Sequence, residues 1–480
     1  MTKHSFHPSI LRKYDIRGVV NKTLTEKDAY FIGKAICKFF EKENLMNVAV
    51  AYDGRLSSPI LKNSLIKGLV GSGLNVIDVG VGPSPMLYYA VHHFRCDFGI
   101  MVTGSHNPSD YNGFKICLKN GKPFYGKDIK QLSNIVNKGE FINRTGKIKI
   151  TNIKDDYIKR LLNDSDLYSD SGFLDEIDDF LDDKNNTPRI AWDAGNGSAG
   201  SIMKTISEKI KSKDFLLFDD IDGNFPNHHP DPTVEDNLAD LKAAVINNNC
   251  DLGIAFDGDG DRIGVVDDEG EVIWSDQLMM LFVQDILKEH PNATIISDVK
   301  ASDNLFKFIT NLGGKAIMSK TGHSYIKDKM KSTKALLAGE MSGHIFFADK
   351  YYGFDDALYA AIRLINIVFT KKISLSDFRK SLPKTFFTPE IKVFCTEEEK
   401  FNIIENIKNK LNQEKIKFVD IDGVRVSDED SWWLIRASNT QPVLVVRCES
   451  ESEEKLKIIK NIVSSILKHN NLKIPSDLIQ

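Results

Sequence analysis

Short apolar runs recur along the chain between longer stretches of helical periodicity. Three of them end on an aspartate: Val48-Ala49-Val50-Ala51-Tyr52-Asp53, Ile190-Ala191-Trp192-Asp193 and Ile295-Ile296-Ser297-Asp298. Runs this short and this apolar predict strands buried on both faces. Roughly forty to sixty residues after each aspartate comes a second marker run. Cys96-Asp97-Phe98-Gly99-Ile100 leads into Thr103-Gly104-Ser105. Cys250-Asp251-Leu252-Gly253-Ile254 leads into Asp257-Gly258-Asp259-Gly260-Asp261-Arg262. Ala335-Leu336-Leu337-Ala338 leads into Gly339-Glu340-Met341-Ser342-Gly343-His344. Helical stretches such as Ile60 to Val70 and Asn237 to Ile246 separate the runs. Strand, helix, strand, helix, strand predicts a mainly parallel sheet with helices on both faces, and the recurrence predicts one α/β unit used three times. From Lys384 the pattern changes to a helix (Glu397 to Leu411), two strands (Ser431 to Ile435, Val443 to Arg447) and a closing helix (Glu453 to Leu467). That order predicts a smaller α+β domain, docked as a lid. The expected divisions are residues 1–150, 151–271, 272–383 and 384–480.

Length supports this division, because 480 residues exceed what one core serves and suggest about three or four domains. An apolar content of 41% with 27% charged residues is that of a soluble globular protein. A net charge of −4 gives no global attraction to nucleic acid or anionic membrane. The amino terminus lacks the apolar core of a signal peptide, and the longest apolar helix candidate, Leu358 to Phe369, is short and interrupted by Arg363. Six scattered cysteines without a C-x-x-C pair read as small hydrophobes in a reducing compartment. A cytoplasmic protein is expected. The stretch Asp164 to Asp183 is acidic, without lysine or arginine, and reads as a solvated insertion.

The loops after the marker runs carry the candidate chemistry. Ser105 falls on a glycine turn just past the carboxyl end of a buried strand, where open α/β sheets bind ligands. The pattern is not G-x-S-x-G, since Asn107 stands at the second glycine, and His106 points away from its neighbour on an extended chain. A turn hydroxyl is the plain alternative. Asp257, Asp259 and Asp261 alternate with glycines and can converge on one cation, their oxygens favouring Mg²⁺, Mn²⁺ or Ca²⁺. An EF-hand is excluded: Arg262 occupies its glycine position and Asp268 its glutamate position. Arg262 can offset charge when a phosphate arrives. Glu340, Ser342 and His344 mix an acid, a hydroxyl and an imidazole, as vicinal sugar hydroxyls require. Arg436, Ser438, Asn439 and Thr440 group a guanidinium with short polar side chains, which suits a phosphate. His228-His229, between prolines, reads as loop contacts.

With these loops in this order, the sequence resembles the α-D-phosphohexomutase superfamily, in particular its bacterial phosphomannomutase/phosphoglucomutase group. The resemblance also rests on Tyr14-Asp15-Ile16-Arg17-Gly18, the serine loop through Lys115, Asp298-Val299-Lys300 and Lys320-Thr321-Gly322-His323. It implies three related α/β domains and a TATA-binding-protein-like α+β lid around a central cleft. It implies a phosphorylated Ser105, with Mg²⁺ held by Asp257, Asp259, Asp261 and a phosphate oxygen. A hexose 1,6-bisphosphate is then the intermediate and activator. Lys115 and His344 are the implied proton-transfer groups, with Arg17 and Tyr14 lining the serine site and Arg262, beside Lys115 and the metal, neutralising charge. Lys300 and His323 would complete the cleft, Glu340 and Ser342 would hold the sugar 3- and 4-hydroxyls, and Arg436, Ser438, Asn439 and Thr440 the distal phosphate. Small-molecule sugar phosphates are the implied partners, with no nucleic acid and no membrane, and a monomer or weak oligomer is expected. The rival readings are a phosphoglucosamine mutase, a metal-dependent phosphatase acting through a phosphoserine, and a non-catalytic sugar-phosphate binder on the same scaffold.

Overall fold

The structure, a computed structural model, describes residues 4–43, 45–119, 124–168, 187–439 and 441–479. Most of the acidic stretch expected after Asp164, and Thr440, lie outside the described residues.

Each aspartate-terminated run is a central strand of its own sheet. In the first, the order is Ile16–Val19, Tyr111–Leu118, Phe98–Val102, Asn47–Tyr52, Asn75–Val81, Ile148–Ile150. The pairings from Phe98–Val102 onward are parallel, while Tyr111–Leu118 runs antiparallel to both its neighbours. The second sheet repeats the scheme with Lys213–Leu217, Arg189–Asp193 and Leu252–Phe256 parallel and Ile263–Asp267 returning antiparallel. The third has Lys315–Ser319, Thr294–Asp298 and Leu337–Gly339 parallel and Ile345–Phe347 returning. The antiparallel return has a consequence for the site. It makes each marker strand one arm of a hairpin, and the loops 103–110, 257–262 and 340–344 are the three hairpin connections. One buried cluster runs through all three units, from Leu87 and Tyr88 through Trp192 and Phe256 to Leu281 and Leu358. Close-packed interiors of this kind transmit displacement rather than absorb it, so the three loops are held at fixed distances from one another.

The helix Ala357–Thr370 is buried along most of its length. The charge that interrupts it, Arg363, is paired with Asp349 at 2.8 Å and Asp285 at 2.9 Å. No helix among the described residues is long and apolar enough to cross a membrane. The six cysteines are free, four buried and two half-buried.

The last segment is an antiparallel sheet in which Ile391–Phe394 and Phe386–Phe387 both pair with Val443–Ser450, followed by Ser431–Ala437 and Val424–Ser427. Alternation along Ser431–Ala437 explains how it docks. Trp433 and Ile435 face the helices Glu399–Gln413 and Glu453–His469 in a core of their own. Trp432 and Leu434 point the other way, onto Val299 of the third unit.

Candidate active site

Ser105 is buried and sits in the left-handed region, at φ 49°, a conformation that costs a non-glycine residue about 1–3 kcal/mol and persists only where its surroundings impose it. Arg55 is what imposes it. Its guanidinium, completely buried, donates to the carbonyls of Ser105 (2.7 Å), Asn107, Pro108 and Tyr111 (3.0 Å). Asp53 anchors that guanidinium and also accepts from the Gly104 amide at 2.9 Å and the Thr103 hydroxyl at 2.8 Å. Gly104 is required here, because a Cβ would lie 2.2 Å from the Arg55 guanidinium. Phe225 of the second unit covers the arginine, with the charge 5.1 Å from the ring centre. Arg17 holds the loop from its other side through the Gly104 carbonyl and Asn107 Oδ1.

The Ser105 hydroxyl donates to Asp257 Oδ2 over 3.2 Å. Asp257, Asp259 and Asp261 are fully buried, and their oxygens come within 4.8 Å of one another. Asp257 Oδ1 accepts from the amides of Asp261 and Arg262, which curls the loop around its own carboxylates. Burial, with Asp259 and Asp261 close by, pushes the Asp257 carboxyl well above the usual carboxylate range. The compensating charge is Lys115, whose ammonium lies 2.7 Å from Asp259 and 2.6 Å from Asp261. Burial alone would lower the lysine, but these two carboxylates raise it above its ordinary value. Lys115 is therefore held between the two carboxylates as their counter-charge. One oxygen each of Asp259 and Asp261 remains buried without a hydrogen bond. Three convergent hard carboxylates with orphaned oxygens fit a divalent cation of the Mg²⁺ type.

Arg262 donates from Nε to His344 Nε2 at 3.2 Å and lies 3.9 Å from Asp257. Glu340 accepts from the Gly322 amide, and burial, reinforced by Asp298, pushes its carboxyl up to about 7. Ser342 is partly exposed on the same loop. The His323 ring stacks on His344 at 5.6 Å. Both imidazoles face Asp355, which is completely buried and paired with Lys327 at 2.8 Å. Lys300 is engaged by Glu390 of the last segment.

The last segment closes the cleft from the opposite side. Arg436 is held by Asp422 at 2.9 Å. Asn439 Oδ1 accepts from Lys13 Nζ at 2.8 Å, its amide donates to the Tyr14 hydroxyl, and that hydroxyl donates to the Thr321 carbonyl at 2.7 Å. Tyr14 thereby joins three segments at one point. Ser438 is buried, and its carbonyl accepts from Lys400 at 2.8 Å.

Ser105, Arg17, Lys115, the three aspartates, Arg262 and His344 thus form one contiguous cluster. Glu340 and His323 adjoin it across the cleft, and Tyr14 and Asn439 join the last segment to its rim. His228 lies apart, 2.9 Å from Asp193, in keeping with a loop contact. Three residues that sequence reasoning passed over are built into the site: Arg55, Asp355 and Asp422. The signal for Arg55 was the Asp53-Gly54-Arg55 turn at a strand end, and for Asp355 the doublet Asp355-Asp356 before the most apolar helix.

Comparison with known proteins decides the family. Residues 8–143, 171–270 and 274–386 match the phosphoglucomutase/phosphomannomutase alpha/beta/alpha domains I, II and III, and residues 390–465 match the C-terminal domain. The chain belongs to the phosphoglucomutase/phosphomannomutase family. It is 44% identical to the phosphomannomutase/phosphoglucomutase of Pseudomonas putida over 95% of this chain and 94% of that one. It is 40% identical to the phosphoglucomutase of Neisseria gonorrhoeae over 96% and 97%. A phosphoglucomutase/phosphomannomutase family protein of Burkholderia thailandensis, whose crystal structure is known, superposes with a TM-score of 0.88 at 38% identity, covering 98% of this chain and all of that one. Each of the four loops falls within a different one of the four matched family domains.

Proposed function

We propose that this enzyme interconverts hexose 1-phosphates and hexose 6-phosphates, of mannose and of glucose, through a phosphorylated Ser105 and a bound hexose 1,6-bisphosphate. The phosphoryl group leaves the Ser105 oxygen for the free sugar hydroxyl, whose proton passes to the protein. The bisphosphate turns over in the cleft, and its other phosphoryl group returns to Ser105. Mg²⁺ at Asp257, Asp259 and Asp261 would supply charge neutralisation to the transferring group. The protein contributes position and charge. Arg17 and Arg55 hold the nucleophile's loop, Arg262 faces the incoming phosphate, and Lys115 and His344 carry protons to and from the sugar oxygen. Glu340 and Ser342 take the 3- and 4-hydroxyls. Lys300, His323 and Tyr14 line the cleft, and Arg436, Ser438, Asn439 and Thr440 take the distal phosphate. We place the enzyme in the cytoplasm, acting on soluble sugar phosphates as a monomer or weak oligomer.

The observation that carries this reading is the Ser105 hydroxyl, held in a strained turn by a buried arginine against a carboxylate triad. A sugar-phosphate binder has no use for such a nucleophile. Coupled assays on mannose, glucose and glucosamine 1-phosphates, with Mg²⁺ and a bisphosphate activator, test it. Mannose and glucose phosphates should be turned over with specificity constants within about a hundredfold, or about 2.7 kcal/mol, because a substrate bound in two opposite orientations is gripped at its 3- and 4-hydroxyls and not its 2-hydroxyl. Turnover confined to the glucosamine phosphate would overturn the substrate assignment.

A further inference from the structure

The stacked histidines His323 and His344 come from different loops, and the carboxylate between them belongs to neither. Asp355 Oδ2 lies 3.2 Å from His344 Nδ1 and 3.5 Å from His323 Nδ1. Neither Asp355 Oδ2 nor His323 Nδ1 makes a hydrogen bond, so these close approaches are electrostatic contacts between a carboxylate and two ring nitrogens. The other oxygen, Oδ1, is taken by Lys327 at 2.8 Å, and Lys327 in turn lies over the Tyr88 ring of the first unit at 4.7 Å. Backbone pairing of Phe346 with Asp355 fixes the main chain that carries the carboxylate. A neutral imidazole carries one proton, and the hydrogen bond made by one nitrogen decides which form is present. His344 Nε2 accepts from Arg262 Nε, while its Nδ1 faces only oxygens: Asp355 Oδ2, the Asp261 carbonyl at 3.1 Å and Asp261 Oδ1 at 3.5 Å. Its proton therefore sits on Nδ1. His323 has Asp355 alone to decide the matter.

We propose that Asp355 is a positioning residue that holds the proton of His323 on Nδ1 and reinforces the Nδ1–H form that Arg262 and the Asp261 carbonyl set in His344, so that both rings keep Nε2 as an acceptor on the opposite edge. In water the neutral side chain prefers the reverse form, with the proton on Nε2. One buried carboxylate thus faces one ring of the sugar-binding loop pair and one ring of the transfer site together. The proposal rests on the mutase reading for its catalytic meaning, but its geometry does not depend on that reading.

Asp355→Asn is the informative variant because Lys327 dictates how the amide sits. The amide oxygen must face the ammonium, which leaves the NH₂ group facing both Nδ1 atoms. A donor in that place repels an Nδ1 proton and drives it to Nε2. Imidazole ¹⁵N spectra of the full-length enzyme, assigned with His323→Gln and His344→Gln, should show both rings in the Nδ1–H form. In Asp355→Asn, His323 should revert to Nε2–H, and kcat should fall by about 10- to 100-fold, as when an outer partner of a functional histidine is removed. The loss should not add to that of His344→Ala, since residues acting as a unit are not additive. Nε2–H rings in the wild type, an unchanged spectrum in Asp355→Asn, or full additivity with His344→Ala would each overturn the proposal. A chelatable metal bound to these rings in the wild type would overturn it too. A wild-type enzyme that fails on every hexose phosphate would instead overturn the mutase reading, and the spectra would still judge Asp355.

Discussion

Gly258 separates the first two carboxylates of the triad, and its Cα lies against the nucleophile's own peptide. A Cβ at this position would meet the Ser105 carbonyl oxygen at 2.5 Å, whereas real Cβ atoms essentially never approach a heavy atom within 3.0 Å. Gly258→Ala must therefore separate the two loops by at least 3.0 − 2.5 = 0.5 Å. The serine loop cannot give way cheaply, because the Ser105 carbonyl is pinned by Arg55 at 2.7 Å. The aspartate loop cannot either, since the Ser198 amide and hydroxyl both donate to the Gly258 carbonyl, at 3.0 and 3.1 Å. Overpacking of this kind costs about 1–3 kcal/mol of stability. A misplacement of about 1 Å costs on the order of a hundredfold in rate, so half of that predicts a kcat loss of roughly tenfold, or about 1.4 kcal/mol. The loop proposed to take the distal phosphate is untouched, and KM for glucose 1-phosphate should stay within about threefold, as expected when only transition-state alignment is lost. Conversion of glucose 1-phosphate, coupled to oxidation of the 6-phosphate, measures both constants, and a thermal melt measures the stability. A folded Gly258→Ala enzyme with wild-type kcat would refute the claim that the serine and the triad are locked in register.

Two further outcomes follow from the rim of the cleft. Arg436→Ala should weaken the 1-phosphate and the 6-phosphate alike, by about 2–5 kcal/mol in KM, since it removes a charged contact and strands Asp422; an effect on one isomer alone would contradict a shared distal site. Glu340, raised by burial to about 7, binds its proton more tightly folded than unfolded. Stability should fall as pH rises from about 4.5 to about 7, a slope absent in Glu340→Gln, because there the folded state binds the extra proton. The same group should give kcat/KM a rising limb near pH 7 in the wild type, and a limb that survives in Glu340→Gln would assign it elsewhere.

Much of this architecture was legible because parallel strands buried on both faces must be written as apolar runs, and Asn47–Tyr52, Arg189–Asp193 and Thr294–Asp298 are. The candidate loops were legible because a bend past a strand end needs glycine, and clustered carboxylates need a cation. What was hidden is set by closure of the tertiary structure. Arg55 reads as a surface arginine after a strand, and only Phe225 and four backbone carbonyls make it a buried clamp. Lys115 reads, by resemblance, as a proton-transfer group, but its place was hidden: the antiparallel pairing of Tyr111–Leu118 with Phe98–Val102 delivers its ammonium to Asp259 and Asp261. The short strand Ile148–Ile150 escaped because it is exposed along its whole length, and Ile391–Phe394 escaped because Phe394, 81% exposed, puts an apolar residue on the outer face and hides the alternation of buried Ile391 and Val393. Asp355 escaped because its partners lie on loops that its own sequence neighbours do not announce.

Ser105 as the phosphoryl carrier is the claim on which the rest depends. The enzyme incubated with Mg²⁺ and isotopically labelled glucose 1,6-bisphosphate, then analysed by intact mass and peptide mapping, tests it directly. One phosphoryl group should appear on Ser105, should pass to unlabelled glucose 1-phosphate on addition, and should be missing in a folded Ser105→Ala protein that no longer turns over. Label on another residue, or near-wild-type turnover in Ser105→Ala, would contradict the account.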